Sequence, residues 1–110
     1  MAQGDLVMQR GEVWWAQLPP PVGRRPVVLL SRNRAYERRA SVTVAPLTRT
    51  IRGIRTEVPV GPEDGVPADS VVNLDDIGTI PKGLLESPIA LLSHERMSAI
   101  RRAIMFALDL

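Results

Sequence analysis

Short apolar runs separated by polar or Gly/Pro-rich breaks follow one another along the chain after residue 10. Alternating or continuous apolar runs of this length are typical of β-strands, because successive side chains point to opposite faces of a sheet. The breaks hold residues that favour turns, as in the 19–21 and 61–67 segments. The pattern predicts seven strands, at residues 12–18, 26–31, 41–47, 54–60, 70–74, 77–80 and 89–92.

One helix is predicted at the C-terminal end, where the apolar period changes from two to three or four residues. Ser93 is a typical N-cap, and Met97, Ile100, Ile104 and Leu108 recur along one face. Many short strands without βαβ alternation indicate a mainly β (α+β) fold, a small antiparallel barrel with a C-terminal helix. We expect a single domain over residues 10–110, preceded by a loose extension at 1–9.

Composition narrows the possible function classes. The chain has no cysteine and one histidine, His94, which excludes thiolate metal sites, cysteine nucleophiles and cages built from several histidines of one chain. We therefore expect no metal and no cofactor. The apolar runs are too short to span a bilayer, and the first residues lack a signal-peptide profile, so a cytoplasmic protein without membrane contact is expected.

Charge is distributed very unevenly. Residues 24–55 contain nine arginines and one glutamate, a formal +8, whereas the rest of the chain has five basic and eleven acidic residues, a formal −6. Arginine binds phosphate or carboxylate with a planar fork, so a fixed anion is the natural partner of this segment. A solvated basic surface is the alternative. The arginines flank apolar runs, however, and should therefore lie at strand ends on a rigid scaffold.

Several short motifs together resemble the MazF/PemK toxin family over residues 10–110. They are RGEVW at 10–14, GRRPVV at 23–28, SRN at 31–33, VAPLT at 44–48, DSVVNL at 69–74 and TIP at 79–81. The resemblance implies an SH3-like barrel, a homodimer and a metal-independent, sequence-specific endoribonuclease that cuts single-stranded RNA. It also implies a cognate antitoxin whose acidic C-terminal segment occupies the RNA site, and hence a type II toxin–antitoxin system.

The resemblance also implies the catalytic residues. The family's catalytic arginine precedes the proline of the second strand, here Arg25, and its threonine follows the third strand's apolar run, here Thr48. These residue types suit RNA cleavage, because the 2′-OH of RNA can attack the adjacent phosphorus and give a 2′,3′-cyclic phosphate and a 5′-OH end. The protein must then align the attack and stabilise charge on the phosphoryl oxygens.

Other residues near this pair are expected to bind RNA without reacting. Asn73 has the groups to read a base edge, although a hydrogen bond at the end of a strand explains it equally well. Trp14 and Trp15 should point to opposite faces of the first strand, one into the core. The predicted RNA-binding residues are Arg24, Ser31, Arg49, Arg52 and Asn73.

Two questions stay open at the level of sequence. Many members of the family carry an acidic residue in a longer loop between the first two strands, whereas residues 19–24 here contain no carboxylate, so the general base is unassigned. A non-catalytic nucleic-acid- or protein-binding toxin on the same scaffold, such as a topoisomerase poison, is the alternative function. The Arg25/Thr48 pair favours the nuclease, because a pure binder would not need it.

Overall fold

A computed structural model describes residues 8–110. Seven strands and two α-helices follow one another, with short 3₁₀ turns at 62–64, 74–76 and 82–84. The four-residue α1 lies between the second and third strands. The elements are β1 (Glu12–Gln17), β2 (Arg24–Leu29), α1 (Ala35–Arg38), β3 (Ser41–Thr48), β4 (Glu57–Val60), β5 (Ser70–Asn73), β6 (Gly78–Pro81), β7 (Leu85–Leu91) and α2 (His94–Ala107).

The strands form one antiparallel sheet in the order β4-β5-β3-β2-β1-β7, and β6 pairs with β3 beyond that path. This confirms the predicted mainly antiparallel fold with a C-terminal helix. Within the part of the chain that the structure describes, β4 and β7 are the two ends of the strand order and do not pair, so the sheet is open rather than a closed barrel. Pro59 lies on β4, an edge strand of the sheet. A proline is tolerated there because its missing N–H would point to solvent and not to a neighbouring strand.

Two hydrophobic clusters cover opposite faces of the central strands. Val13, Val28, Ala45 and Leu47 belong to the first cluster, which packs against Ile100 of α2. Trp14, Val27, Leu29, Val42 and Val44 belong to the second cluster, together with Tyr36 of α1. Because neighbouring residues of one strand enter different clusters, β2 and β3 are buried on both faces over most of their length.

Two strand predictions were wrong in their boundaries. The 54–60 alternation predicts a strand from Ile54, but β4 begins at Glu57, because the Ile54 carbonyl accepts the Glu57 N–H in a turn and Ile54 is exposed. β7 starts at Leu85 rather than at 89 and pairs with β1 through Ser87 and Pro88. Its first half is mostly polar and exposed, so no apolar pattern could indicate it.

The chain before β1 is described only from Met8 onward, so most of the predicted extension at 1–9 lies outside the described residues. Met8 packs against the second cluster, and the Gln9 N–H donates to Glu12 Oε1. Among the helices of residues 8–110, none combines the length and the apolar composition needed to cross a membrane.

Candidate functional site: a cleft at the ends of β2 and β3

Arg25 and Thr48 face each other across two neighbouring strands. The β2–β3 pairing matches Val27 with Pro46 and Leu29 with Val44. The same antiparallel register, continued by two residues, brings Arg25 opposite Thr48. Side chains directly opposite in an antiparallel pair have Cβ atoms about 4.5–5.5 Å apart. Both residues line one cleft of about 310 Å³, as the resemblance requires of a catalytic pair.

A tight turn starts β2 and directs its two arginines to opposite faces. Gly23 has φ +73°, a left-handed conformation that favours glycine, and its carbonyl accepts the Leu18 N–H at 3.0 Å. Arg25 then points into the cleft and is half-buried. Arg24 points away, stacks its guanidinium over Trp15 at 4.1 Å, and donates to Glu86 at 2.8 Å.

Arg52 is held at the cleft by a carboxylate that sequence reasoning missed. Arg52 Nε donates to Glu57 Oε2 at 3.1 Å, while the backbone N–H groups of Arg52 and Gly53 donate to Glu57 Oε1 at 3.0 and 2.9 Å. Burial raises the pKa of Glu57, but these hydrogen bonds lower it by more, so its pKa lies below the usual range. A buried, ionised Glu57 thus fixes the loop that carries Arg52.

The opposite wall of the cleft is a turn with two aspartates. Asn73 is buried, accepts the Asp75 N–H at 3.0 Å, and donates to Asp76 Oδ2 at 3.0 Å. Asp75 accepts the hydroxyl of Thr56 at 2.6 Å. Both aspartates line the cleft. The amide of Asn73 therefore positions this turn, which is the strand-end role that the sequence left open.

An apolar hollow of about 380 Å³ adjoins the cleft and shares Arg25, Pro46 and Asp76 with it. Leu18 and Val22, from the loop between β1 and β2, form part of its wall. Apolar walls with a carboxylate at the rim offer a surface for stacking and an acceptor for an amino group, which are the two features that an unstacked nucleobase uses.

The structure brings four of the seven predicted site residues together. Arg25, Thr48, Arg52 and Asn73 line the cleft. Arg49 follows Thr48 and is exposed. Arg24 lies on the other face of β2 with Trp15, and Ser31 lines a different cavity. Of the tryptophans, Trp14 is in the core, as expected for one of the pair.

Sequence reasoning missed the acidic residues of this region. Glu57, Asp75 and Asp76 occur in segments interpreted only as a strand and a break, and nothing local indicates that they converge. Across residues 8–110, no three histidine or acidic side chains are grouped as metal ligands. His94 is exposed at the start of α2 and does not line the cleft.

Comparison with known proteins identifies the family. Residues 9–108 match the model of the PemK-like, MazF-like toxins of type II toxin–antitoxin systems. The probable endoribonuclease MazF5 of Mycobacterium tuberculosis is 44% identical over 101 residues, which cover 91% of this chain and 92% of that protein.

Solved structures agree with this match. The Mycobacterium tuberculosis toxin MazF-mt6 superposes with a TM-score of 0.84 at 39% identity, over 90% of this chain and 97% of that chain. A mycobacterial endoribonuclease in complex with its cognate antitoxin superposes with a TM-score of 0.83 at 31% identity, over 94% of this chain and 96% of that chain. Several of the motifs that suggested the resemblance also supply residues of the cleft. The chain belongs to the PemK-like, MazF-like toxin family.

Proposed function

We propose that this chain is the endoribonuclease toxin of a type II toxin–antitoxin pair and that Arg25 and Thr48 carry the reaction. The observation that carries the assignment is their position together in one cleft, at the start of β2 and the end of β3. Endoribonuclease activity agrees with the family match and with the 44% identical relative that bears this name. The substrate is single-stranded RNA, whose splayed bases can enter the cleft and the adjoining hollow.

The reaction needs little chemistry from the protein. The 2′-oxygen attacks the adjacent phosphorus, the bond from phosphorus to the 5′-oxygen breaks, and the products are a 2′,3′-cyclic phosphate and a 5′-OH end. Arg25 stabilises the charge that grows on the phosphoryl oxygens. Thr48 Oγ1 accepts the Thr50 N–H at 3.2 Å, so its hydroxyl hydrogen is left to donate to a phosphoryl oxygen.

The proton released by the 2′-OH goes to a carboxylate of the opposite wall. Asp75 and Asp76 are exposed acceptors in the cleft, and they supply the group that the short β1–β2 loop lacks. Each aspartate already accepts one side-chain hydrogen bond, Asp75 from the Thr56 hydroxyl and Asp76 from the Asn73 amide. Of the two, Asp76 also borders the hollow beside Arg25. We therefore assign proton acceptance to Asp76. The departing 5′-oxygen takes a proton from water, which completes the proton balance.

RNA binding relies on the arginines around the cleft. Arg52 lies at its rim, and Arg49 is the exposed residue after Thr48. Asn73 acts through the two hydrogen bonds that hold the aspartate turn. Arg24 and Ser31 are outside the cleft, so their predicted contacts would involve parts of the RNA beyond the cut bond.

The partner is an acidic antitoxin segment. A solved relative was determined in complex with its cognate antitoxin, and Arg25 and Arg52 of the cleft can pair with a carboxylate-rich peptide as well as with RNA. We further propose that the toxin is a homodimer and that it acts in the cytoplasm, where its RNA substrate is present. The alternative, a non-catalytic binder such as a topoisomerase poison, is disfavoured because the relatives described above are named endoribonucleases or toxins of this family.

The test is cleavage of a mixed RNA pool in EDTA, followed by sequencing and chemical analysis of the ends. We expect cuts at a defined short sequence, 5′-OH ends and 2′,3′-cyclic phosphates, without added metal. RNA carrying 2′-O-methyl groups is the matched control and should stay intact. Cleavage that requires a divalent ion, or that leaves 5′-phosphates, would contradict the mechanism.

A further inference from the structure

A second basic cavity lies outside the catalytic cleft. It encloses about 470 Å³ between the end of β2, α1 and the start of β3. We call it the arginine pocket. Two arginines and four hydroxyl side chains line it, with a few small or buried apolar residues behind them. These polar residues are Arg32, Arg39, Ser31, Ser41, Thr43 and Thr79.

The arginine pocket and the cleft lie on opposite faces of β3. Ser41 and Thr43 point into the pocket, whereas Pro46 and Thr48 point into the cleft. The two sets have odd and even positions along one strand, and side chains alternate between the faces of a sheet. Five residues from Thr43 to Thr48 correspond to about 17 Å along the strand. A ligand in the pocket therefore cannot touch the reacting phosphate.

The positive charge of the pocket is not neutralised nearby. Of the described residues that line it, none carries a carboxylate. Within residues 8–110, Arg32 and Arg39 form no salt bridge, in contrast to Arg24, Arg52 and Arg96. The 32–39 segment has four arginines and one glutamate. Two unneutralised guanidinium groups at one concave surface attract an anion.

Hydroxyl groups of the pocket lie close to one another. Ser31 Oγ accepts the Thr43 N–H at 2.8 Å and lies beside Tyr36. Thr43 Oγ1 and Thr79 Oγ1 lie 3.4 Å apart on the paired strands β3 and β6. Arginine and Ser/Thr hydroxyls are the usual donors to phosphate oxygens. The pocket has no aromatic or amide side chain among its described lining, so it lacks the groups that stack or read a base.

We propose that the arginine pocket binds a backbone phosphate of the RNA substrate at a distance from the cut bond. This inference rests on the proposed function, because it takes RNA as the substrate. RNA long enough to reach both faces of β3 gains affinity from the pocket, and that gain is independent of base sequence. Short RNA that fills only the cleft does not gain from it.

An acidic peptide fits this pocket less well. Extended peptides commonly bind by adding a strand to a free sheet edge. β3 is already paired with β2 on one side and with β6 on the other beside the pocket. The apolar lining is limited to Leu30, which is buried, and two alanines, so no deep apolar wall is available for an anchoring side chain.

The experiment measures binding of 2′-O-methylated RNA, which cannot be cut, to the full chain. One oligonucleotide has about six nucleotides and the other about twenty, around the range that small binding folds occupy. The test variant is Arg32→Ala/Arg39→Ala. The matched control is Arg34→Ala/Arg38→Ala, which removes the same charge from the same segment but spares the pocket lining. Thr43→Val removes one hydroxyl without changing charge.

For the long RNA, we expect the test variant to raise Kd by about 10-fold and to reduce the salt slope by about 1.4, or 0.7 for each of two lost charge contacts. Thr43→Val should weaken long RNA about two- to five-fold, as expected for one lost hydrogen bond. The short RNA should bind all variants equally. CD melting confirms that each variant folds.

Each of the following outcomes would overturn the proposal. The control pair could weaken long RNA as much as the test pair, which would indicate general charge. The test variant could bind short RNA as weakly, relative to the wild type, as it binds long RNA. It could also lose affinity for a carboxylate-rich peptide while its affinity for long RNA is unchanged. If the wild-type chain cuts RNA but the pocket variants bind it normally, only this inference fails. A wild-type chain that neither binds nor cuts RNA would remove the proposed function and this inference with it.

Discussion

Arg24 and Arg25 are identical neighbours with different surroundings. Strand alternation directs Arg25 into the cleft opposite Thr48, whereas Arg24 packs on Trp15 and pairs with Glu86. The basic run in the sequence indicates an anion site. The basic run does not distinguish the two arginines, but the position of Arg25 before Pro26 predicts Arg25 as the site residue. In the structure Arg25 lines the cleft, whereas Arg24 contacts Trp15.

Replacing Arg25 with alanine should lower single-turnover cleavage by about 10²-fold or more, the usual effect of losing one group that stabilises developing charge. Thr48→Ala should also slow cleavage, by less, because it removes a neutral donor. The control is Arg101→Ala, which removes the same charge from an exposed position of α2. A folded Arg25→Ala protein that cuts at the wild-type rate would show that Arg25 is not catalytic.

Glu57→Gln should remove part of the acid-sensitive stability of the protein. Because the pKa of Glu57 is lowered in the folded state, its contribution is present above about pH 4.3, the ordinary pKa of glutamate, and is lost as pH falls through the lowered value. Tm measured from pH 7 to pH 3 should therefore fall less steeply in the variant than in the wild type. Glu86→Gln, at an exposed ion pair, is the control and should keep the wild-type slope.

The sequence predicted Arg25 and Thr48 as site residues but missed the acidic residues that line the same cleft. Arg25 and Thr48 could be named because each follows or precedes a recognisable motif. Asp76 could not be named, because its place at the cleft depends on the Asn73 turn and on the pairing of β5 with β3. Such convergence is a property of strand register and does not appear as a local pattern.

At the scale of elements, strands with an apolar pattern and α2 were predictable, and the polar first half of β7 was not. β1, β3 and α2 agree with the pattern within about a residue, because each buries apolar side chains at the expected period. β7 lies at the end of the strand order, and its polar first half is held by hydrogen bonds to β1. β4 begins later than predicted because the Glu57 carboxylate accepts the backbone N–H groups of Arg52 and Gly53 and so holds residues 52–57 in a turn.

The exposed apolar end of α2 is the surface that we expect to join two copies of the chain. Phe106 and Leu108 are 48% and 58% exposed. The shallow cavity beside them also contains Arg55, Arg102 and Asp109. A patch with both charge signs is self-complementary, because a two-fold axis can bring its basic side against its acidic side.

Phe106→Asp should therefore weaken the dimer by at least about ten-fold, since it places a charge in an apolar contact. Sedimentation velocity over a range of protein concentrations measures the change. Leu91→Asp alters a comparably exposed leucine on β7 and serves as the control. If Phe106→Asp leaves the association constant unchanged, or if Leu91→Asp reduces it equally, the interface lies elsewhere.

At the scale of the whole molecule, the basic segment does not form one surface. Arg25 and Arg52 line the cleft, Arg32 and Arg39 line the arginine pocket, and Arg55 packs on Phe106 with its guanidinium 4.1 Å from the ring. The predicted +8 segment is thus divided among at least three surfaces. RNA and an acidic peptide should compete only at the cleft, where both can contact Arg25 and Arg52.

Because the arginines are divided among separate surfaces, an acidic peptide should displace short RNA more easily than long RNA. A carboxylate-rich peptide should displace six-nucleotide RNA completely, because both need the cleft, and it should do so less well as salt screens the arginines. The same peptide should displace long RNA less easily, because the arginine pocket retains part of that RNA's affinity. A peptide with glutamine in place of glutamate is the control and should displace neither RNA. Fluorescence anisotropy of labelled RNA measures each displacement. If peptide and short RNA bind together in a ternary complex, they do not share the cleft, and inhibition of the toxin by its antitoxin would have to act through a different surface.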